Sequence, residues 1–237
     1  MIKLAIFWFA VLCSLAGLPG NLRAEGRPVD LTLVLAVDAS GSVDDREFAL
    51  QLVGIAAGFR DPKVRESIKS GPEGCIAVML MVWADHQAPK DRTDWFVLCL
   101  EKDAEAFARV VETFPRKQNG ATGIGEGIAA ALRAIDTSGF KARRKVVDVS
   151  GDGRETMARE FVVLLPQARA MAFTLGVTIN GLAITNEDPA LLSYFRDMVR
   201  TGEGSFALPA TDYEAFAEAM RRKLLREIEY RPKVSQR

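Results

Sequence analysis

Short apolar runs alternate with longer amphipathic stretches along most of this chain. Residues 31–37 are apolar without interruption, which is typical of a strand buried on both faces of a parallel sheet. Residues 44–60 instead repeat apolar side chains at helical spacing, for example at Phe48, Leu52 and Ile55. The Asp-Pro pair that follows predicts the end of this helix. The pattern therefore begins with a buried strand and a helix that packs on it.

The same alternation continues towards the end of the chain. Further strands are predicted at residues 75–83, 94–100, 145–150, 177–184 and 205–209, and further helices at residues 104–113, 124–135, 156–172, 189–200 and 213–230. A short polar loop between the second and third strands predicts an antiparallel hairpin. Elements of these lengths in this order predict an α/β fold, with a doubly wound, mostly parallel central sheet, one antiparallel edge hairpin and helices on both faces.

The amino terminus has the layout of a targeting segment. Lys3 precedes an apolar core at residues 4–18, and a Pro-Gly break and a plausible cleavage site after Ala24 follow. We therefore expect residues 1–24 to be a signal peptide that directs export to the periplasm or out of the cell. An uncleaved amino-terminal anchor is the alternative.

The rest of the chain predicts one domain with a sizeable core, at residues 27–230, and a loose tail at residues 231–237. The whole chain has 31 basic and 31 acidic side chains, and loss of the signal peptide removes Lys3 and Arg23, which leaves a net charge of −2. A balance so close to neutral gives no reason to expect a nucleic-acid partner. No second apolar stretch of the sequence is long enough to cross a membrane, so we expect no span after signal cleavage.

Two cysteines, Cys75 and Cys99, remain after the signal peptide, one in each strand of the predicted hairpin. Export makes a disulfide between them chemically permissible. Two buried thiols are the alternative, because strand register decides whether the side chains meet.

The polar residues with the clearest chemistry follow the first strand directly, in the sequence Asp38-Ala39-Ser40-Gly41-Ser42. Ligands of open α/β sheets bind in the crevice at the carboxyl ends of the strands. One carboxylate and two hydroxyls in that position are hard oxygen ligands, which suit Mg²⁺ or Ca²⁺ and not a soft metal.

Two later loops add ligands of the same kind. Thr122 lies in the Asn-Gly-Ala-Thr-Gly loop before a predicted helix, and Asp152 lies in the Ser-Gly-Asp-Gly loop after a predicted strand. In order and placement the three loops resemble the metal-ion-dependent adhesion site of von Willebrand factor A (VWA) domains. The resemblance covers nearly the whole chain after the signal peptide, and is greatest to an exported, bacterial, single-domain branch of that family.

The resemblance implies a Rossmann-like VWA fold and a site for one Mg²⁺, or for Mn²⁺ or Ca²⁺ in its place. By motif, the implied ligands are Asp38, Ser40, Ser42, Thr122 and Asp152. It also implies a protein partner that supplies an acidic residue to the metal, and binding in place of catalysis. The charged pair after the Gly-Asp-Gly turn, Arg154 and Glu155, is expected to influence the choice of partner.

Two other interpretations of the same residues remain open. Taken singly, the serines and Thr122 are also suited to capping helices, and Asp152 to a turn before glycine. A haloacid-dehalogenase-like phosphatase would use Asp38 as nucleophile and hold Mg²⁺ with further acids. Such an enzyme needs an acid where this chain has Ser40 and another after the Gly-Asp-Gly turn, where the nearest is Glu155.

Several conspicuous side chains are expected to be ordinary. His86, the one histidine in the chain, lies in a polar hairpin loop and is predicted to be a surface residue. The basic residues of the last helix are predicted to form its solvated face: Arg221, Arg222, Lys223 and Arg226. Asp148 is unusual inside an apolar strand, and we expect a partner charge such as Arg144 or a supporting role near the metal.

Overall fold

The computed structural model describes residues 26–156 and 161–229. The predicted signal peptide and the predicted loose tail lie outside these ranges. No helix among the described residues combines the length and the apolar character that a membrane span requires.

The described residues contain a seven-stranded sheet. Its strands are Pro28–Asp38 (β1), Ile76–Trp83 (β2), Asp91–Arg92 (β3), Phe96–Leu98 (β4), Lys141–Gly151 (β5), Thr178–Ile184 (β6) and Ala207–Ala210 (β7). Their spatial order is β3-β2-β1-β5-β6-β7, and β4 also pairs with β2. The five strands β1, β2, β5, β6 and β7 are parallel, whereas β3 and β4 run antiparallel to β2. The predicted fold class, including the antiparallel edge, is confirmed.

Helices cover both faces of this sheet. They are Asp45–Arg60 (α1), Pro62–Lys69 (α2), Glu101–Glu112 (α3), Ile124–Asp136 (α4), Leu165–Leu175 (α5), Leu191–Tyr194 (α6), which continues as a π-helical turn over Phe195–Val199, and Phe216–Ile228 (α7). Core residues of α1, α2, α3 and α7 pack on one face with Leu33 and Leu35 of β1, and those of α4, α5 and α6 pack on the other with Val34 and Ala36. Cover on both faces explains why β1 is apolar at successive positions.

The Asp-Pro pair after α1 both ends that helix and begins α2, which the sequence analysis missed. The Asp61 carboxylate accepts hydrogen bonds from the backbone N–H groups of Lys63 and Val64, and Pro62 occupies the first turn. Proline is favoured there because the first N–H groups of a helix have no partner within it. The prediction that the pair stops α1 was right, but the same chemistry also starts a helix.

The helix predicted at residues 156–172 was placed too early. Helix α5 covers Leu165–Leu175 and has Pro166 in its first turn, while the described residues before it are not helical. Phe161 has a φ of 67°, in the left-handed region, which no residue inside an α-helix adopts. Residues 157–160 lie outside the described ranges. Apolar residues at helical spacing before Leu165 therefore predicted a helix where the described residues, 161–164, form none.

The prediction of a solvated basic face on the last helix was wrong for Lys223. Its side chain is completely buried, forms an ion pair with Asp148 of β5, and donates to Glu227 Oε1 at 2.9 Å. The Asn180 side-chain amide donates to the same Glu227 oxygen at 2.8 Å. Asp148 thus pairs with Lys223, while Arg144 donates to backbone carbonyls at the end of α7. We call these four side chains, Asp148, Asn180, Lys223 and Glu227, the buried ionic cluster.

The structure joins Cys75 and Cys99 in a disulfide, with their Cα atoms 4.3 Å apart. The antiparallel pairing of Ile76 with Leu98 places the two cysteines opposite each other, one residue beyond the paired ends of β2 and β4. The bond lies at the amino end of β2, the opposite end from the loops that carry the candidate metal ligands.

Candidate metal centre

The three candidate metal-binding loops meet at the carboxyl edge of the sheet. Strand β1 lies between β2 and β5, and the connection after β1 leads to α1 on one face of the sheet, whereas the connection after β5 leads to α5 on the other. A crevice forms at such a point because neighbouring connections diverge. Asp38 ends β1, and the loop that contains Asp152 follows β5 directly. Thr122 lies just before α4 and completes the crevice.

Hydrogen bonds connect four of the five predicted ligands, which are Asp38, Ser40, Ser42 and Asp152. Ser42 Oγ donates to Asp152 Oδ1 at 2.7 Å and lies 3.3 Å from Ser40 Oγ. The Ser40 backbone N–H donates to Asp38 Oδ1 at 2.7 Å. Asp38, Ser40 and Asp152 are buried, whereas Ser42 is exposed at the mouth of the site.

Thr122 joins this group through the backbone of the neighbouring loop. A Cβ atom placed on Gly153 would lie 3.5 Å from Thr122 Oγ1, so the threonine hydroxyl faces the residue next to Asp152. The Thr122 carbonyl accepts from the Thr156 backbone N–H at 3.0 Å, which ties the two loops together. All five predicted residues therefore lie around one crevice.

Close backbone approach at this crevice depends on two glycines. A Cβ on Gly151 would lie 2.9 Å from Asp38 Oδ2, too close for an ordinary contact. Gly120 has a φ of 109°, which L side chains rarely adopt, and its carbonyl accepts from Gly41 N–H at 2.8 Å. A side chain at Gly151 would displace the Asp38 carboxylate.

The Asp38 carboxylate is the least satisfied polar group of the crevice. Its side chain is completely buried, and Oδ2 has no hydrogen-bond partner within the described residues. Burial, and secondly the nearby Asp152 charge, raise the pKa of Asp38 to about 7. An unpartnered buried carboxylate is costly. A divalent cation bound to that oxygen would remove the cost, so the donor set fits a hard cation.

Among the described residues, no group of three or more His, Cys, Asp and Glu side chains is arranged to hold a metal. The candidate centre differs from such a group because it has only two carboxylates, Asp38 and Asp152, and takes its other oxygens from hydroxyls. This composition matches the chemistry expected from the sequence motifs.

Three residues that sequence analysis did not single out hold the crevice in shape. The Arg116 guanidinium donates to the carbonyls of Ala39, Ser40 and Val43, the Ser40 bond measuring 3.2 Å. Its other nitrogen donates to Asp45 Oδ1 at 2.6 Å. Arg116 therefore joins the loop of Asp38 to the loop of Thr122.

Gln51 and Tyr213 act on the two acids. The buried Gln51 amide donates to the Asp38 carbonyl at 3.1 Å and accepts from Ser150 Oγ at 3.3 Å. Tyr213 Oη donates to Asp152 Oδ2 at 3.0 Å, and burial and the Asp152 charge raise the pKa of Tyr213, so its hydroxyl keeps its proton. No local sequence motif identifies the glutamine on α1 or the tyrosine just before α7 as part of the site.

The charged pair beside the site divides into two roles. Arg154 is partly exposed, donates to Asp188 Oδ2 at 2.8 Å and lies over the Tyr194 ring. Glu155 instead accepts from the backbone N–H groups of Gly125 at 2.7 Å and Leu165 at 3.1 Å. Glu155 therefore holds the starts of α4 and α5, and only Arg154 faces solvent in a way that suits partner selection.

His86 is not the surface residue that was predicted. It is only 8% exposed, and its Nε2 is buried without a hydrogen-bond partner in the described part of the chain. The loop after β2 folds over it, because Lys90 Nζ donates to the carbonyls of Asp85 at 2.5 Å and Ala88 at 2.7 Å. The polar sequence of this loop predicted an exposed histidine. The lysine that makes the loop polar, Lys90, instead bonds to carbonyls of the same loop and holds it over His86.

Comparisons with known proteins agree with the architecture. The model of a family described as "Protein of unknown function (DUF1194)" matches residues 28–232. A search of the curated proteins finds no match. The chain therefore belongs to this family, whose model covers nearly all of the described residues. The description of the family names no activity.

Solved structures with a similar fold include three proteins of bacterial pili. The pilus adhesin SpaC from Lactobacillus rhamnosus GG is 15% identical, with a TM-score of 0.57 over 85% of this chain and 31% of its own. The vWF domain of the type V pili tip protein Mfa5 from Porphyromonas gingivalis is 14% identical, with a TM-score of 0.53 over 88% of this chain and 99% of that domain. A mutant of the PilB minor pilin from Streptococcus sanguinis is 13% identical, with a TM-score of 0.54 over 85% of this chain and 62% of its own.

The likeness to these structures shows the fold, which is that of a VWA domain, as the sequence motifs predicted. This chain spans less than a third of SpaC, 31%, so the activity of that whole protein does not transfer with the fold. The function has to follow from the crevice itself.

Proposed function

We propose that this chain, which belongs to the DUF1194 family and has the fold of a VWA domain, binds one divalent cation and through it an acidic side chain of another protein. The proposed cation is Mg²⁺, Mn²⁺ or Ca²⁺, and the proposed ligands are Asp38, Ser40, Ser42, Thr122 and Asp152. The single observation that carries the proposal is the buried, unpartnered Asp38 Oδ2 beside a second carboxylate and three hydroxyls.

The composition of the crevice favours binding of a further carboxylate. Two acids balance the charge of a divalent cation, but the other three proposed ligands are neutral hydroxyls, and one oxygen of each acid is already engaged by Ser40 N–H or Tyr213 Oη, so the cation would remain electron-poor. A bound cation would supply an electron-poor centre that a partner's carboxylate can ligate. Ser42 is exposed at the mouth, where such a group would enter.

The surroundings are rigid, which suits binding without large rearrangement. Arg116 fixes the Asp38 loop, Gln51 fixes the end of β1 against β5, and Glu155 fixes the starts of two helices. Preorganised ligands reduce the entropy that binding must overcome. Arg154, at the rim, is placed to favour acidic partners by charge complementarity.

Two features support action outside the cytoplasm. The sequence of residues 1–24 has the layout of a signal peptide, and the Cys75–Cys99 disulfide is a bond that persists in oxidising compartments. The similar structures are named as pilus adhesins and pilins, which is compatible with a role in protein adhesion. We therefore place the proposed interaction in the periplasm or at the cell surface.

The phosphatase alternative is weaker in this geometry. The acid that such an enzyme would require after the Gly-Asp-Gly turn is Glu155, and both of its carboxylate oxygens accept backbone N–H groups of helix starts. The position two residues after Asp38 is the serine Ser40, whose N–H bonds back to Asp38. We therefore assign the crevice to binding and expect no hydrolysis of phosphate esters.

Titration of the purified chain with Mg²⁺ and Mn²⁺ by calorimetry tests the cation site. We expect one site per chain in the wild type, a loss of at least about 100-fold in affinity for Asp38→Asn, and a smaller loss for Thr122→Ala. Asp136→Asn is the matched control, because Asp136 is an exposed acid at the far end of α4. Equal affinity in the wild type and Asp38→Asn would remove the cation from this crevice.

Capture of partners tests the second half of the proposal. Immobilised wild-type chain is incubated with a periplasmic extract in Mg²⁺ or EDTA, and captured proteins are tested singly after purification. We expect a partner whose binding is lost in EDTA, is lost with Asp38→Asn, and is lost when one acid of the partner becomes an amide. A purified partner that binds equally under all these conditions would show that the interaction surface lies elsewhere.

A further inference from the structure

A cavity of about 600 Å³ adjoins the candidate metal centre on the α4 side of the sheet. Its walls are the loop after β2, which contains His86 and Lys90, the edge strand residue Arg92, and α4 with Glu126 and Arg133. Its volume lies within the range of small-ligand sites. The cavity is separate from the five proposed cation ligands, none of which lines it.

The backbone of the loop that contains Thr122 is in contact with the loop that forms one wall of the cavity. A Cβ atom on Gly123 would lie 2.8 Å from His86 N and 2.9 Å from the Ala84 carbonyl oxygen, so these backbones are in direct contact. Gly123 follows the proposed ligand Thr122 and donates its N–H to the Ala84 carbonyl at 3.0 Å. The cavity and the crevice of the proposed ligands are therefore neighbours, separated by this backbone.

The walls carry an excess of positive charge. Three basic side chains, Lys90, Arg92 and Arg133, line the cavity, against the single acid Glu126. Glu126 is partly engaged, because it accepts from the Val163 backbone N–H at 2.8 Å and lies 3.5 Å from Arg133. The excess favours an anion in the cavity.

The three cations contribute in different ways. Lys90 has its donors directed at backbone carbonyls, and burial lowers its pKa, so it contributes charge but no free donor. Arg92 forms no ion pair within the described residues, and its Nη1 lies 4.0 Å from the Met79 sulfur. Its guanidinium is therefore available, and its planar fork suits a planar carboxylate.

His86 belongs to the wall of the cavity, and its Nε2 is directed away from the accessible space. The side chain is more than nine-tenths buried, lines the cavity, and has an Nε2 without a hydrogen-bond partner in the described residues. Apolar residues also line the cavity, among them Met81, Ala130, Phe161 and Val162, and they suit the methylene groups of an organic acid.

We propose that this cavity binds a carboxylate, supplied by a second acidic side chain of the same partner segment whose first acid binds the cation. The inference rests on the proposed function for the identity of the partner, but the cavity itself uses none of the cation ligands. A partner segment would then be recognised by two acids at a set spacing, one for the cation and one for Arg92.

The carboxylate site is tested first without any metal. The ¹⁵N-labelled chain is titrated in EDTA with succinate, and separately with succinamide as the matched neutral probe, while backbone amide shifts are followed by NMR. We expect saturable shifts at residues 86–92 and at α4 around Arg133 with succinate alone. Arg92→Gln should weaken succinate binding about tenfold, because a charge-assisted bond is lost, whereas Arg109→Gln, an exposed arginine on α3, should not.

Three results of this titration would overturn the proposal. They are the absence of saturable shifts with succinate, equal binding of succinamide, and unchanged succinate affinity in Arg92→Gln. Each result is independent of the cation, because EDTA is present throughout. Failure of the cavity and failure of the metal centre are therefore separate outcomes.

The link between the two sites is tested with defined peptides in Mg²⁺. Each peptide has two glutamates separated by zero to four glycines, and its control has glutamine in the second position. At one spacing we expect the two-acid peptide to bind about tenfold more tightly than its control, with the gain lost in Arg92→Gln while Mg²⁺ affinity is unchanged. If no spacing gives a gain, the cavity does not take a second acid of the same segment.

Discussion

This protein has two pairs of buried carboxylates, and the two members of each pair lie close together. The two pairs differ in where the balancing cation would come from. Asp148 of β5 and Glu227 of α7 are buried where α7 packs on the sheet, and Lys223 of α7 forms an ion pair with both. Asp38 and Asp152 lie at the carboxyl edge of the sheet, and within the described residues no basic side chain forms an ion pair with either. One pair has an internal cation, and the other is suited to a cation from solution.

This difference indicates what each pair contributes. A lysine inside the core remains in place, so the buried ionic cluster holds α7 against β5 and β6 at all times. An exchangeable divalent cation instead leaves a coordination position that a partner can fill. The same charged residue type therefore serves structure in one place and, in our proposal, recognition in the other. Opposite responses to substitution would distinguish the two roles.

The largest expected effect is the removal of the internal cation. Lys223→Met should lower the free energy of unfolding by about 3–5 kcal/mol, because the buried Asp148 carboxylate then remains without its partner and Glu227 loses a hydrogen-bond donor. Urea denaturation measures the change, and Arg222→Met on the exposed face of the same helix should cost less than about 0.5 kcal/mol. A cost for Lys223→Met no larger than that of the control would show that the cluster is neutral without the lysine.

The second prediction has the opposite sign. Asp38→Asn should raise the free energy of unfolding of the metal-free protein by about 1–3 kcal/mol at pH 8, since it removes an unpartnered buried charge. The raised pKa of Asp38, about 7, means that the wild type loses stability as the pH rises towards 7 and keeps that loss above it. Added Mg²⁺ should stabilise the wild type and not the variant. Thermal denaturation with and without Mg²⁺ measures both effects, and a less stable Asp38→Asn variant would contradict the comparison.

The third prediction concerns the pH dependence of the ionic cluster. Burial, and secondly the Asp148 charge, raise the pKa of Glu227 to about 8. The folded protein therefore retains a proton that the unfolded chain releases, and stability falls by on the order of 1 kcal/mol per pH unit until about pH 8. Glu227→Gln should lack this component, so the variant gains on the wild type between pH 5 and pH 8. Parallel denaturation curves across that range would exclude a raised pKa.

The smallest expected effect follows from changing Arg116, which holds the loop that contains Asp38, Ser40 and Ser42. Arg116→Gln should weaken Mn²⁺ binding about tenfold, because the carbonyls of the Asp38 loop lose their shared donor. Arg116→Lys should restore part of the affinity, since an ammonium can still reach one or two carbonyls. Calorimetric titration measures the affinity, and melting temperatures show whether the change is confined to the site. Unchanged affinity in Arg116→Gln would leave the arginine a merely structural role.

The alternation of strands and helices could be read from the sequence because most elements carry their own local signals. Helix α1 has its cap, Asp44, and a regular apolar face, and its predicted and observed ranges differ by one residue. Helix α5 was misplaced because apolar residues in the preceding loop have helical spacing. Helix α2 was missed because Asp61 and Pro62 begin a helix with the same residues that end the previous one.

The candidate ligands could be read from the sequence because each lies at the end of a recognisable strand or before a recognisable helix. The residues that support them could not, since Gln51, Arg116 and Tyr213 reach the crevice from elements distant in the sequence. The same limit applies to His86 and Lys223, whose polar neighbours in the sequence conceal their burial.

The sequence by itself determined the layering of this protein, because hydrophobic periodicity is a local property that decides which face of each element is buried. It also determined which hard oxygen donors are candidates for the proposed cation, because their types and order are local features of three short loops. Only the tertiary structure decided which charges are neutralised from within. Lys223 meets Asp148 only when α7 packs on the sheet, whereas no basic side chain of the described residues forms an ion pair with Asp38. Burial and partnership of a charge depend on contacts across the whole chain, and local pattern carries no information about them.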